Sequence, residues 1–268
     1  MIPIADQNPV KRLPWVTLLL IVVCTVVYFV VQPTGPPKIE WTKIGQHASQ
    51  EDLRFVVNNA VIPCEIVKGR PLTQFEYDRT FRDHPGDGSA CSDGDSPAHD
   101  PGKAIFLAVL VTMFLHGSIP HFFGNMLFLW VFGSNVEDRN GWWRYLLLYV
   151  IGGVIATGAH ILVAPNSTVP VVGASGAIAA VMGAYFVLWP SVRVRGIIFV
   201  GPVLLRKVQA LWLLVFWVGQ QFLLVGGATN IAWAAHVGGF AFGALVGLWW
   251  RSQERRHATA TPAPALSA

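Results

Sequence analysis

The sequence predicts an all-α polytopic membrane protein, and three observations carry that expectation. Hydrophobic residues make up 53% of the chain and charged residues only 13%, where a soluble domain carries roughly a quarter charged residues. The mean hydropathy is positive. Apolar runs fall near 15–32, 104–134, 142–163, 171–190, 208–225 and 231–250, and each offers about the 20 residues that a helix needs to cross the hydrocarbon. A closed barrel would show short alternating segments, so six helical spans are expected.

The domain plan that follows has a cytoplasmic segment at 1–14, a membrane domain at 15–250 and a disordered cytoplasmic tail at 251–268. Lys11 and Arg12 flank the first span, which holds Cys24. The second run is interrupted by HGSIPHFFGN, so its crossing helix is placed from about Ile119 to Gly133, with Pro120 in the first turn, where a missing N–H costs least. Residues 104–115 then read as an interfacial lead-in. Arg139, Arg144, Arg193, Arg195, Arg206, Lys207, Arg251, Arg255 and Arg256 all fall on the Lys11 side of this plan, and the loops at 164–170 and 226–230 have no basic residue. By the positive-inside rule both termini are cytoplasmic and the protein is a multi-pass protein of the cell membrane.

The first loop, 34–103, is long and extracytoplasmic on this reading. Its tract DHPGDGSACSDGDSPAHDPG at 83–102 has almost nothing to bury and reads as a flexible acidic insert. Cys64 and Cys91 both lie in the loop, and their spacing leaves open whether they are joined.

Polar groups inside apolar runs are expensive unless paired, which marks them as candidates for function. His121 and Asn125 are four apart and share one helix face, with His116 just upstream. Ser175 lies in VVGASGAIAAVMGAY, His236 opens the sixth run, His160 ends the third, and Gln220 and Gln221 lie in the fifth. In a six-span plan His121, Ser175 and His236 all fall near the start of helices that run the same way, and therefore at one depth. Gly239, Gly243 and Gly247 continue the stripe begun by His236, and Gly176, Ala180 and Gly183 form another. Such stripes let two helices approach closely enough for a serine to reach a histidine. Amide hydrolysis needs an activated nucleophile, a proton for the leaving amine and donors for the oxyanion. Ser175 and His236 suit the first two tasks; His121, Asn125 and the Ser175 N–H suit the third. The last four runs contain no Asp or Glu, so the expectation is a dyad.

Singly, each residue has a structural reading: Ser175 as packing filler, Asn125 as glue between helices, His236 as a partner for a carbonyl. A metal site from His116, His121 and His236 lacks a carboxylate or thiolate. No phosphate loop is present, so neither cofactor nor metal is expected. The alternatives from other classes are a transporter, which would line a path through the full depth with polar groups, and a non-catalytic protein that binds single-span clients.

The segments HGSIPHFFGNMLFLWVFGSNVED (116–138), GASGAIAAVMGAY (173–185) and AHVGGFAFG (235–243) resemble the rhomboid family of intramembrane serine proteases, in its bacterial six-helix form, and the likeness covers about residues 12–250. The resemblance implies a six-helix bundle around a water-filled cavity, with Ser175 as nucleophile, His236 as general base, and His121 and Asn125 at the oxyanion. Gly173, Gly239 and Gly243 match its structural glycines, with Gly176 beside them, and His116 matches a structural histidine. Ala179 stands where some members carry a tyrosine on the histidine, so Trp233 or Phe186 is expected to orient His236. The implied partners are the lipid bilayer and single-pass transmembrane substrates, with no nucleic acid; the oligomeric state is left open.

Overall fold

The computed structural model describes residues 2–33, 50–83, 88–92, 96–199, 203–223 and 232–260. At its centre lies α9 (Ser175–Leu188), packed against α8 (Trp142–Val163) and α11 (Trp233–Ala260). The sequence of α9 explains its position. Alanines favour the helix and glycines keep its surface thin, so neighbouring backbones come close. A methyl group on Gly239 would strike the Gly176 carbonyl, and one on Gly243 would strike the Ala180 carbonyl. Tyr149, Tyr185 and Phe132 are fully buried around this centre, each worth about 1.5–3 kcal/mol of transfer free energy. Pro190 follows Trp189 and prevents α9 from continuing.

α1 (Trp15–Val26) begins after Pro14 and continues through a π-helical stretch to Val31. Its first N–H groups have no intrahelical acceptors. Glu137, on α7 (Ser134–Asn140), supplies them from a distance: its carboxylate accepts from Val16 N–H at 2.9 Å and from Thr17 N–H and Oγ1–H at 2.8 Å. The adjacent Asp138 accepts from the N–H groups of Lys11 and Arg12 at 3.1 and 2.9 Å. The short α5 (Ala108–Val111) precedes α6 (Ile119–Phe128), which α7 continues through a π-helical stretch, Leu129–Gly133. A three-stranded antiparallel sheet, in the order β1 (Ile2–Asp6), β2 (Arg193–Phe199), β3 (Val203–Gln209), leads into α10 (Ala210–Leu223).

The described residues of 50–103 build a small unit of their own from α2 (Gln50–Asn59), α3 (Pro63–Lys68) and α4 (Gln74–Asp78) around Leu53, Val57, Ile62, Leu72, Tyr77 and Phe81. Cys64 and Cys91 are disulfide-bonded, with Cα atoms 5.9 Å apart, so the pairing left open by spacing is present. Thr73 and Glu76 form a capping box at the start of α4. Arg70 grips the Glu76 carboxylate through two nitrogens at 2.8 and 3.0 Å. Lys103 pairs with Glu65, both only 2% exposed. Burial pushes the Glu65 carboxyl up and the Lys103 ammonium down, and their mutual attraction opposes both shifts. The unit is fastened to the segment before α9: Val171 N–H donates to the Val61 carbonyl at 2.9 Å and Cys64 N–H to the Ser167 carbonyl at 3.0 Å; the same segment is tied to the lead-in of α6 by Gly173 N–H, which donates to the Thr112 carbonyl at 3.0 Å.

The six-span expectation is corrected by this structure. Among the described residues one helix, Trp142–Val163, is both long and apolar enough to cross a membrane, and Trp15–Val31, Ser175–Leu188 and Ala210–Leu223 are shorter. A multi-pass location with both termini cytoplasmic therefore loses its basis, as does the all-α six-helix bundle. Averaged hydropathy counts apolar residues without seeing where a helix begins. The run at 171–190 gives up residues 171–174 to a loop, the run at 208–225 starts inside β3, and the run at 104–134 breaks at 115–118. α11 has 28 residues, but it carries His236 in its first turn and ends in a charged stretch. Its continuation to Ala260 also makes residues 251–260 helical rather than disordered.

The acidic tract is a further correction. Of 83–102, residues 84–87 and 93–95 lie outside the described residues; the remainder is docked. Arg70 donates to the Ser92 carbonyl at 2.6 Å, Ser92 N–H donates to Glu76 at 2.8 Å, Ala98 bridges to Thr73, and His99 stacks on Tyr77 with ring centroids 3.7 Å apart. Residues 34–49, the loop at 226–230 and the tail beyond 260 lie outside the described residues.

Candidate active site

Ser175 is the first residue of α9, and Ala174 before it is already helical in conformation (φ −66°). The chain arrives there through Gly173, whose φ of +123° is closed to other residues. This glycine turns the backbone so that the Ser175 hydroxyl and amide both sit at the half-buried start of a helix whose body is buried. Across the glycine stripe, His236 lies in the first turn of α11, and its Nε2 is 2.8 Å from Ser175 Oγ. Gly239 follows it down the stripe, and the approach of its backbone to Gly176 sets the helix separation that makes this distance attainable. Gly176 itself faces Ala156 of α8, where an added methyl would come within 2.7 Å of the alanine Cβ.

α6 supplies the opposite wall. Ser118 caps it by accepting from His121 N–H at 3.2 Å, and Pro120 sits in its first turn, where it removes no hydrogen bond. The helix thus holds His121 and Asn125 on one face, one turn apart, toward Gly173. A Cβ built on Gly173 would lie 2.8 Å from the His121 ring and 3.6 Å from Asn125 Nδ2. The Asn125 side chain is buried, and its Nδ2 has no hydrogen-bond partner among the described residues. An unpaired buried amide is costly. It lies beside the main chain that leads into Ser175.

His116 has a different setting. It is 1% exposed; its N–H donates to Gln32 Oε1 at 3.0 Å and its carbonyl accepts from Gln32 Nε2 at 3.1 Å. Its ring packs edge-on against Tyr28, Phe122 and His121. It ties the π-helical end of the first helix to the start of α6.

The structure therefore brings Ser175, His236, His121, Asn125, Gly173, Gly176 and Gly239 to one place, with Gly243 one turn further along the same seam and His116 behind α6. The residues that orient His236 are not the expected pair. Trp233 packs on Phe222 and Phe186 on Phe240. The imidazole instead meets α10: Trp217 lies against it at 5.5 Å between ring centroids, and Gln221 Oε1 is 2.7 Å from His236 Nδ1. Residues 217 and 221 are one turn apart. That spacing, and a carboxamide inside an apolar run, were the signals available in sequence.

A family model described as "Rhomboid domain" matches residues 104–253, which include every residue of this cluster. The chain is 33% identical over 150 residues to "Presenilin-associated rhomboid-like protein A, mitochondrial" of Danio rerio, covering 55% of this chain and 37% of that one. It is 31% identical over 150 residues to "Presenilin-associated rhomboid-like protein, mitochondrial" of Bos taurus, covering 55% and 38%. It is 31% identical over 137 residues to "Rhomboid protease GlpG" of Yersinia pestis (strain Pestoides F), covering 51% and 45%. The chain thus spans less than half the length of these curated relatives. Mitochondrial and bacterial proteins match alike, which removes the restriction to a bacterial type.

Proposed function

Since the chain belongs to the rhomboid family by its match over residues 104–253, we propose that it is a serine endopeptidase that works through an acyl-enzyme, with Ser175 as nucleophile and His236 as general base. The observation that carries this reading is the 2.8 Å contact between His236 Nε2 and Ser175 Oγ across two helices. In the proposed reaction Nε2 accepts the hydroxyl proton as Oγ attacks the scissile carbonyl. The oxyanion that develops accepts hydrogen bonds from Asn125 Nδ2, the His121 ring and the Ser175 N–H. His236 then gives its proton to the leaving amine, and water repeats the sequence in reverse to free the acid and the serine. The unpaired amide of Asn125 suits this role, because a donor left unsatisfied at rest gains a partner as negative charge appears.

The proposed substrates are single-pass transmembrane proteins met at a lipid bilayer. Leu19, Val22, Leu147, Ile151, Leu245 and Leu248 are large apolar side chains left exposed on the helices, and a surface of that kind calls for an apolar surrounding. An amide inside a helix is protected by its own hydrogen bond, so the segment cut is one with weak helix propensity and small side chains. The catalytic unit is proposed to lie within 104–253, with 50–103 as an accessory fastened to the segment before Ser175. The deciding experiment is cleavage of a single-span substrate by the purified protein in detergent, beside a Ser175→Ala variant. Cleavage that disappears in the variant while the protein stays folded supports the reading, and cleavage that persists ends it.

A further inference from the structure

We propose that Gln221 is a positioning residue for the reaction assigned to Ser175 and His236: its carboxamide oxygen holds the proton of His236 on Nδ1 and so keeps Nε2 free to take the proton of Ser175. The inference rests on that reading of the pair, but its geometry stands separately. Gln221 is 6% exposed on α10, and both ends of its amide are committed. Its Nε2 donates to the Trp217 carbonyl one turn back at 3.2 Å. A carbonyl only accepts, so this bond fixes which way the amide faces and turns Oε1 toward His236 Nδ1, 2.7 Å away. Oε1 also only accepts, so Nδ1 must donate. The neutral ring then has a bare Nε2 facing the hydroxyl at 2.8 Å. Without the acceptor, an imidazole populates both tautomers, and the form with a proton on Nε2 cannot serve as base.

The chain of contacts, Trp217 carbonyl to Gln221 to His236 to Ser175, thus supplies the orienting third member that a buried carboxylate provides in a charged triad. It does so with a neutral group, in a setting where a lone carboxylate would be expensive to bury. Trp217 contributes from the same helix by flanking the ring at 5.5 Å. α10 therefore fixes both the tautomer and the tilt of the imidazole from residues 217 and 221. The carboxamide does not reach the reacting atoms, so its effect passes entirely through the ring.

The test is a pair of variants in the full chain, Gln221→Leu and Gln221→Glu, read in two ways. Imidazole 15N resonances of His-labelled protein, with His236 assigned by its loss in His236→Ala, report the tautomer whether or not the protein cleaves anything. Steady-state cleavage of a single-span substrate reports kcat and KM. The expected result is an Nδ1–H signal in the parent that gives way to a mixture in Gln221→Leu, with kcat lowered roughly 10- to 100-fold at nearly constant KM. Gln221→Glu keeps an acceptor and should retain the Nδ1–H form and most of kcat. An unchanged tautomer in Gln221→Leu overturns the proposal, as does a fall in kcat that follows only a fall in melting temperature. A parent protein that cleaves nothing, yet loses its Nδ1–H signal in Gln221→Leu, keeps the positioning role and removes the hydrolytic reading of the pair.

Discussion

Gly243 of α11 lies against the carbonyl of Ala180 on α9, with no room between them for a methyl group. Gly239 meets Gly176 in the same manner one turn nearer the site. Contact of main chain with main chain cannot be relieved by a rotamer change, so a substitution must push the two helices apart.

Gly243→Ala should therefore cost about 1–3 kcal/mol, as overpacking typically does, and lengthen the Ser175–His236 contact. Thermal unfolding and cleavage measured on the same preparation should fall together. A variant as stable as the parent would mean that the seam is looser than the structure has it.

Within the proposed site, Ser175→Ala and His236→Ala should be equally damaging, because a serine without its base is a poor nucleophile. Asn125→Ala should leave residual turnover, reduced about 10²- to 10³-fold, since one oxyanion donor is worth about 2.7–4 kcal/mol and others remain. KM should change little. If Asn125→Ala instead unfolds the protein, its amide serves packing rather than the transition state.

Removing the Cys64–Cys91 bond, which closes a separation of 27 residues, should destabilise the 50–103 unit by about 2–4 kcal/mol. Cys64→Ser/Cys91→Ser should be cut by added protease within 50–103 sooner than the parent. Protection of α9 from hydrogen exchange should persist, because its packing against α8 and α11 does not involve the loop. For the same reason, replacing 83–102 by a flexible linker should loosen this unit, since Cys91, Ser92 and His99 are built into it.

The same unit should weaken in acid. Burial pushes the Glu76 carboxyl up, but Arg70 and the N–H groups of Ser92 and Thr73 outweigh it and hold the group below its ordinary 4.5. A carboxylate depressed in the folded state contributes stability that is present above the unfolded value and is lost as pH falls through the folded one. Loosening of residues 50–103 should set in below about pH 4.5 and be much reduced in Glu76→Gln. A pH-independent parent would remove Glu76 from this role.

The candidate site was legible because its residues break local expectation: a serine, two histidines and an asparagine stand where apolar side chains would be cheaper. Their helix-start positions could be read from Pro120, Gly173 and the glycine stripe that follows His236. Gln221 was visible as a polar residue in an apolar run, but nothing local ties it to His236, fifteen residues further along the chain. Trp217 looked like any lipid-facing or core aromatic. The failed expectations have one physical root. Hydropathy sums transfer preference along the chain, whereas helix length depends on where backbone hydrogen bonds end, and β2 and β3 take up residues that composition alone assigns to helices or their flanks. The acidic tract misled for a related reason, since its docking relies on hydrogen bonds, one ring stack and one covalent bond rather than on a run of apolar residues.

The pairing of β1 with β2 joins Pro3 to Gly196 and Asp6 to Val194, and the Tyr185 hydroxyl donates to Asp6 at 2.6 Å across a separation of 179 residues. During synthesis the early strand leaves the ribosome long before its partner exists. At about 5–20 residues per second the wait is roughly 10–40 s. α8 and all of α9 are made within that interval, whereas the contacts that close on residues 2–6 come late and depend on the far end of α9. The earliest residues described are thus among the last to find their place, and a nascent chain stalled before Arg193 would carry a strand with its edge open to other chains.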